Sequence, residues 1–274
     1  MDAVTKVKAA RTGLLLLFLW QSALPPCVSA GDLHAQSAAA VFARQFTSPD
    51  LSYIALDENG QVVAQRWPDA DRMVPVGSLV KPFVAVAYGR THASFPRFRC
   101  EGKKTCWLPR GHGNLGIAQA IAFSCNSYFR QLAANSAPDS AASTLERFGV
   151  SPANDGLSGS AAPLALVHAY LELASLGEER AVAPILSGMT MSAQKGTGKA
   201  VSAELPRTAA LAKTGTAPCT HAKKAPGDGF AVVMAPAGHP RFVLLVRVHG
   251  RPGAAAADVA GRMIAAVDGD GASR

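Results

Sequence analysis

The sequence predicts an α+β fold in which one antiparallel sheet, built from the N- and C-terminal segments, is packed by helices, with a helical subdomain in the middle. Three observations predict it. Strand-like stretches cluster near both ends, at 51–56 and 61–67 and again at 209–217, 229–235 and 241–249. The stretch between them, 91–200, is mostly helical in pattern. No internal repeat divides residues 31–274, which therefore read as a single domain.

Each element has a local reason. Residues 37–46 are Ala-rich with apolar spacing, which predicts a helix. The strand at 51–56 turns back through Glu58-Asn59-Gly60 into the strand at 61–67, because Asn-Gly accepts positive φ. A helix is expected to open at Ser78, with the apolar run 83–88 burying it. Residues 91–108 look irregular. Residues 115–123 read as a helix, 124–126 as a break and 128–134 as a second helix. Further helices are expected at 163–176, closed by Gly177, and at 184–191, followed by a glycine-marked loop at 195–199. The strands at 229–235 and 241–249 are joined through Pro236-Ala237-Gly238-His239-Pro240, and an Ala-rich helix at 254–267 ends the pattern.

The first thirty residues have the make-up of an export signal. Lys6, Lys8 and Arg11 precede a short apolar core at 14–20, Pro25 and Pro26 break it, and Val28-Ser29-Ala30 offers a small-residue cleavage site. The core is shorter than the about 20 residues a membrane span needs, so cleavage is favoured over an uncleaved anchor. Pro26 makes Cys27 a poor lipidation site. The chain is therefore expected to work outside the cytoplasm, in the periplasm or its equivalent. The leader accounts for +2 of the net charge of +8, leaving +6. That balance suits solubility and attraction to anionic envelope polymers. Nucleic acid is excluded as a partner, since the chain is exported and no basic run is interleaved with aromatics.

Four of the five cysteines follow the leader: Cys100, Cys106, Cys125 and Cys219. An oxidising compartment permits disulfides, and the short polar segment between Cys100 and Cys106 makes them the favoured pair. Pairing of Cys125 with Cys219 is left open. No Cys-x-x-Cys or His-Glu-x-x-His occurs, and Cys219-x-His221 is too sparse for zinc, so no metal and no cofactor are expected.

The chemistry is organised around Gly77-Ser78-Leu79-Val80-Lys81. Residues three apart share a helix face, so the Ser78 hydroxyl and Lys81 amine can meet. A serine hydroxyl is a weak nucleophile until a base takes its proton. Lysine serves as that base only when its amine is neutral, which burial or a second cation can enforce. Alone the pair is commonplace, because serine often caps helices. Two further elements lift it: Ser124-Cys125-Asn126 between helices and Lys213-Thr214-Gly215 on a strand.

This Ser-x-x-Lys, Ser-x-Asn and Lys-Thr-Gly set resembles that of the β-lactamases and penicillin-binding proteins. Cys106-Trp107, Gly111-His112-Gly113, Ser124-Cys125-Asn126-Ser127-Tyr128-Phe129, the Gly196-Thr197-Gly198 loop and Lys213-Thr214-Gly215-Thr216-Ala217 resemble, in the same order, the transpeptidase domain of class B penicillin-binding proteins. The resemblance implies a β-lactamase/transpeptidase-like fold and a serine D,D-peptidase acting on peptidoglycan stem peptides, with transpeptidation favoured over carboxypeptidation and β-lactams as inhibitors. It implies Ser78 as the acylated nucleophile and Lys81 as its base. Ser124 would relay a proton, and Asn126 would hold Lys81 and a substrate amide. Lys213, Thr214 and Thr216 would receive a substrate carboxylate, with Gly215 giving room. His112 reads as a structural hydrogen-bonder beside the site and Glu146 as a solvated helix residue. The alternatives are a β-lactamase, for which no Glu-x-x-Leu-Asn element is present, and a catalytically weak module that binds muropeptides or β-lactams.

Overall fold

The computed structural model describes residues 30–136, 138–153, 157–220 and 222–272. The expected leader lies outside them. Helix α1 (Ala30–Gln45) leads into strands β1 (Leu51–Asp57) and β2 (Val62–Arg66), joined by a turn in which Gly60 takes φ +80. Strand β3 (Val74–Pro75) precedes a 3-10 turn, Gly77–Val80, and helix α2 (Lys81–Thr91). Strands β4 (Phe98–Cys100) and β5 (Gly113–Leu115) form a two-stranded ribbon. Helices α3 (Ile117–Ala122), α4 (Asn126–Ala134) and α5 (Pro138–Arg147) follow, then the short strands β6 (Val150–Pro152) and β7 (Gly159–Ala161). Helices α6 (Pro163–Ser175), α7 (Ala183–Lys195) and α8 (Ala200–Glu204) return the chain to strands β8 (Leu211–Ala217), β9 (Asp228–Ala235) and β10 (Phe242–Val248) and the closing helix α9 (Gly253–Ala272).

The main sheet runs β2-β1-β10-β9-β8, every pairing antiparallel. It joins the N-terminal hairpin to the C-terminal strands, as the distribution of strand-like stretches predicts. Alternation along each strand divides its side chains between two cores. Ile54, Leu56, Val232, Met234, Val243 and Leu245 face α2, α3, α4 and α6, while Tyr53, Ala55, Val233, Leu244 and Val246 face α1 and α9. Strand β9 lies inside the sheet with both faces covered, so all eight of its residues are buried.

Helix α2 is the pillar of the first core. Nine of its residues are buried because Pro82-Phe83-Val84-Ala85-Val86-Ala87-Tyr88 offers no polar face. Phe83 packs against Phe148 and Tyr170, each with ring centres 5.0 Å apart. The helix starts later than the sequence suggests, at Lys81, after the 3-10 turn. Pro82 has no N–H to bond back to Ser78, so the first turn tightens instead of continuing the α ladder. Helix α8 is an addition to the expected pattern, and α5, of which only the helical setting of Glu146 was anticipated, carries few apolar residues.

Candidate active site

The serine stands on a turn pressed against the sheet edge. Gly77 has φ +56, and a side chain there would begin 2.4 Å from the Thr216 carbonyl oxygen on β8. A Cβ on Gly215 would lie 2.6 Å from the Val76 carbonyl oxygen. Two glycines on opposite sides of one contact thus let the turn and strand close on each other. At Gly215 the lack of a side chain gives room to the serine turn. The turn is also held from below, where the buried Tyr170 hydroxyl donates to the Leu79 carbonyl at 2.7 Å.

Lys81 opens α2 and is fully buried. Its Nζ donates to Asn126 Oδ1 at 2.6 Å, to the Ser124 carbonyl at 3.0 Å and to Ser124 Oγ at 3.4 Å. The ring of Phe129 lies 5.3 Å from the same nitrogen. Three acceptor atoms of two residues converge because Ser124 adopts φ +49, a left-handed conformation that costs a residue with a side chain about 1–3 kcal/mol. That conformation ends α3, starts α4 and turns both the carbonyl and the hydroxyl of Ser124 toward Lys81.

Lys213 arrives from β8, also fully buried, and donates to Ser124 Oγ at 3.0 Å and to the Thr214 carbonyl at 2.7 Å. Ser124 Oγ therefore bridges the two lysines. Burial, and after it the charge of Lys81, hold Lys213 well below the ordinary lysine value. The sequence anticipates a coupling of the two lysines, and the lowering of Lys213 by Lys81 is in keeping with it. Thr214 donates to Thr197 Oγ1 at 2.6 Å, and the Thr197 N–H bonds the Ala122 carbonyl, so the Gly196-Thr197-Gly198 loop ties β8 to α3. Thr216 Oγ1 accepts from the Gly253 N–H at 3.0 Å, which spends one lone pair on the start of α9 and leaves its proton for a ligand.

Six of the expected site residues line a cleft of about 990 Å³, and the buried Lys81 and Lys213 reach it through Ser124. Ser78, Ser124 and Asn126 lie on one side and Thr214, Gly215 and Thr216 on another, so the structure brings the expected site residues together. Thr197, from the Gly196-Thr197-Gly198 loop, lines it too, as do Arg110, Lys195 and Lys199, which the sequence did not single out. Their signal, cations on loops, is indistinguishable from ordinary surface until the loops are placed. No aspartate or glutamate lines the cleft among the described residues. Glu146 is exposed on α5, as expected.

The expected Cys100–Cys106 disulfide is absent. Both are free thiols, as are Cys125 and Cys219. Cys106 instead directs its sulfur to Cys125, 3.9 Å away, and to His112 Nδ1, 3.5 Å away. Burial, with the charges of Lys81 and Arg110 behind it, lowers the His112 pKa. Its ring stacks on Phe123 with centres 5.8 Å apart.

The fold is similar to that of solved penicillin-binding-protein transpeptidase domains. Penicillin-binding protein 2 of Pseudomonas aeruginosa, solved in complex with WCK 5153, superposes with a TM-score of 0.69 at 18% identity, covering 87% of this chain and 76% of that one. The transpeptidase domain of Burkholderia pseudomallei penicillin-binding protein 3 gives 0.65 at 18% identity, over 88% of this chain and 92% of that one. The transpeptidase domain of the FtsI4 D,D-transpeptidase of Legionella pneumophila gives 0.62 at 19% identity, over 86% and 95%. No protein-family model and no curated sequence matches the chain.

Proposed function

We propose that this chain is a serine D,D-peptidase that acts on peptidoglycan stem peptides through an acyl-enzyme on Ser78, with transfer to an amine favoured over hydrolysis. The observation that carries the reading is the hydrogen-bonded set Lys81–Ser124–Lys213, braced by Asn126, beside Ser78 in one cleft. Lys81, in its neutral form, takes the proton from Ser78 Oγ as that oxygen attacks the carbonyl of a D-Ala-D-Ala bond. The backbone N–H groups of Ser78 and Thr216 receive the developing oxyanion. Ser124 Oγ, between the two lysines, returns a proton to the leaving amine. The terminal carboxylate of the peptide, or that of a β-lactam, rests on Thr214, Thr216 and the positive charge of the cleft. A chain working on cell-wall peptides would be exported, in keeping with the make-up of residues 1–30. Among the described residues no helix is long and apolar enough to cross a membrane.

The cleft composition argues against a β-lactamase, because deacylation needs a base to activate water and no carboxylate stands in the cleft among the described residues. A pure binding module would not need all five polar site residues.

Incubation with a penicillin followed by intact-mass spectrometry tests the reading. One lasting adduct on wild-type protein and none on Ser78→Ala is expected. A folded wild-type protein that takes up no penicillin at high concentration would overturn it in favour of a binding module, and rapid loss of the adduct would point to the β-lactamase.

A further inference from the structure

Cys100, Cys106, His112 and Cys125 come from four separate places in the chain and converge on one point. Cys100 ends β4, Cys106 lies in the loop after it, His112 directly precedes β5, and Cys125 precedes α4. All four side-chain ligand atoms lie within 4.8 Å of one another. His112 Nδ1 stands 3.6 Å from Cys100 Sγ and 3.5 Å from Cys106 Sγ, and the Cys106 and Cys125 sulfurs are 3.9 Å apart. Zinc–sulfur bonds of about 2.3 Å and zinc–nitrogen bonds of about 2.0–2.1 Å give a tetrahedron with S···S edges of about 3.8 Å and S···N edges of about 3.6 Å. A disulfide would instead bring two sulfurs to about 2.05 Å.

We propose that these four residues form a Cys3His site for one tetrahedral zinc ion, which fastens the wall of the acylation cleft. The surroundings suit thiolates. Cys106 Sγ accepts backbone N–H groups of Leu108, Asn126 and Ser127, and Cys125 Sγ accepts that of Tyr128. Such amide donors stabilise and orient metal-bound sulfur. A zinc ion with three thiolates and one imidazole carries a net charge of −1, and Lys81 and Arg110 are the charges that face His112. The loop between Cys100 and His112 has little regular structure to hold it. It folds by close backbone approaches at Gly102 and Gly111, where a side chain would meet backbone atoms within 2.2–2.3 Å. It nonetheless supplies Trp107, Leu108, Arg110 and His112 to the cleft. Cys125 lies between Ser124 and Asn126, the two residues bonded to Lys81. Zinc at this site cross-links that strained corner to the loop, and binding releases the thiol protons of its three cysteines.

The test uses the full chain purified without chelators. Elemental analysis should find one zinc per chain. Replacing zinc with cobalt(II) should give the visible bands of tetrahedral cobalt and a near-ultraviolet thiolate-to-cobalt charge-transfer band. Cys100→Ser and His112→Ala should weaken metal binding about tenfold or more, while Cys219→Ser keeps it. Wild-type protein with native circular dichroism that holds no stoichiometric zinc and gives no cobalt charge-transfer band would overturn the site, as would a Cys106–Cys125 disulfide mapped in protein taken from cells. These readouts need no penicillin, so the site stands or falls apart from the acylation reading. The effect on the cleft does rest on that reading: stripping zinc should slow penicillin acylation about tenfold or more and added zinc should restore it, and an unchanged rate in stripped, folded protein would overturn the fastening role.

Discussion

Replacing Gly77 with alanine should disarm Ser78 without touching any polar group of the site. The added Cβ would begin 2.4 Å from the Thr216 carbonyl oxygen and 3.0 Å from its carbon. Normal contact then requires the serine turn and β8 to part by about half an ångström or more, because a packed interior leaves no other give. The left-handed conformation, φ +56, adds about 1–2 kcal/mol of strain. The two N–H groups proposed to receive the oxyanion sit on the two surfaces being forced apart. Misplacement by about 1 Å costs about 10²-fold in rate, and loss of one such donor about 10²–10³-fold. The second-order rate of labelling by a fluorescent penicillin should therefore fall about 10²-fold while the protein stays folded. Gly149→Ala separates strain from geometry. Gly149 has φ +62, but its added Cβ would make only ordinary contact with Ala165, at 3.5 Å. It should lose similar stability and keep its labelling rate. A folded Gly77→Ala protein that labels within about threefold of wild type would refute the link between the turn–strand contact and oxyanion stabilisation.

Three further outcomes follow from the same geometry. Lys213 has its pKa depressed by burial and then by Lys81, so between its folded value and 10.5 the unfolded chain binds a proton that the folded chain does not. Stability should rise with pH across that window, and Lys213→Met should flatten the rise in denaturant titrations while abolishing penicillin labelling; an unchanged pH slope would show that Lys213 is not the group responsible. Ser124→Ala removes the hydroxyl between the two lysines but leaves Lys81 its bonds to the residue-124 carbonyl and Asn126, so acylation should drop about 10²–10⁴-fold with little change in melting temperature, and near-normal acylation would exclude the proton relay. Tyr170→Phe leaves the buried Leu79 carbonyl without its 2.7 Å donor, which should cost about 1–3 kcal/mol in urea unfolding and slow labelling severalfold; an effect on stability alone would show that the turn does not depend on this support.

Much of the fold is legible in one dimension. The strands at both ends and the helices between them follow from apolar periodicity and from Gly, Pro and Asn-Gly punctuation, all of which act over a few residues. The short helices α5 and α8 are less legible, because their few apolar positions barely exceed what a loop would show. The start of α2 shifts to Lys81 because Pro82 acts on the hydrogen bond of a particular turn, not on the overall pattern.

The site divides in the same way. The sequence by itself determines which functional groups are present: a serine three residues before a lysine, a second serine beside an asparagine, and a lysine followed by hydroxyls and a glycine. Those are chemical identities at short spacing. Only the tertiary structure decides what they do to one another. It sets Ser124 Oγ between Lys81 and Lys213, presses Gly77 and Gly215 into one close contact, and gathers Cys100, Cys106, His112 and Cys125 at one point. Spacing favoured the nearer cysteine because short loops close cheaply. The folded chain brings a third thiol and an imidazole to the same place from residues far along it, and no local pattern carries that distance.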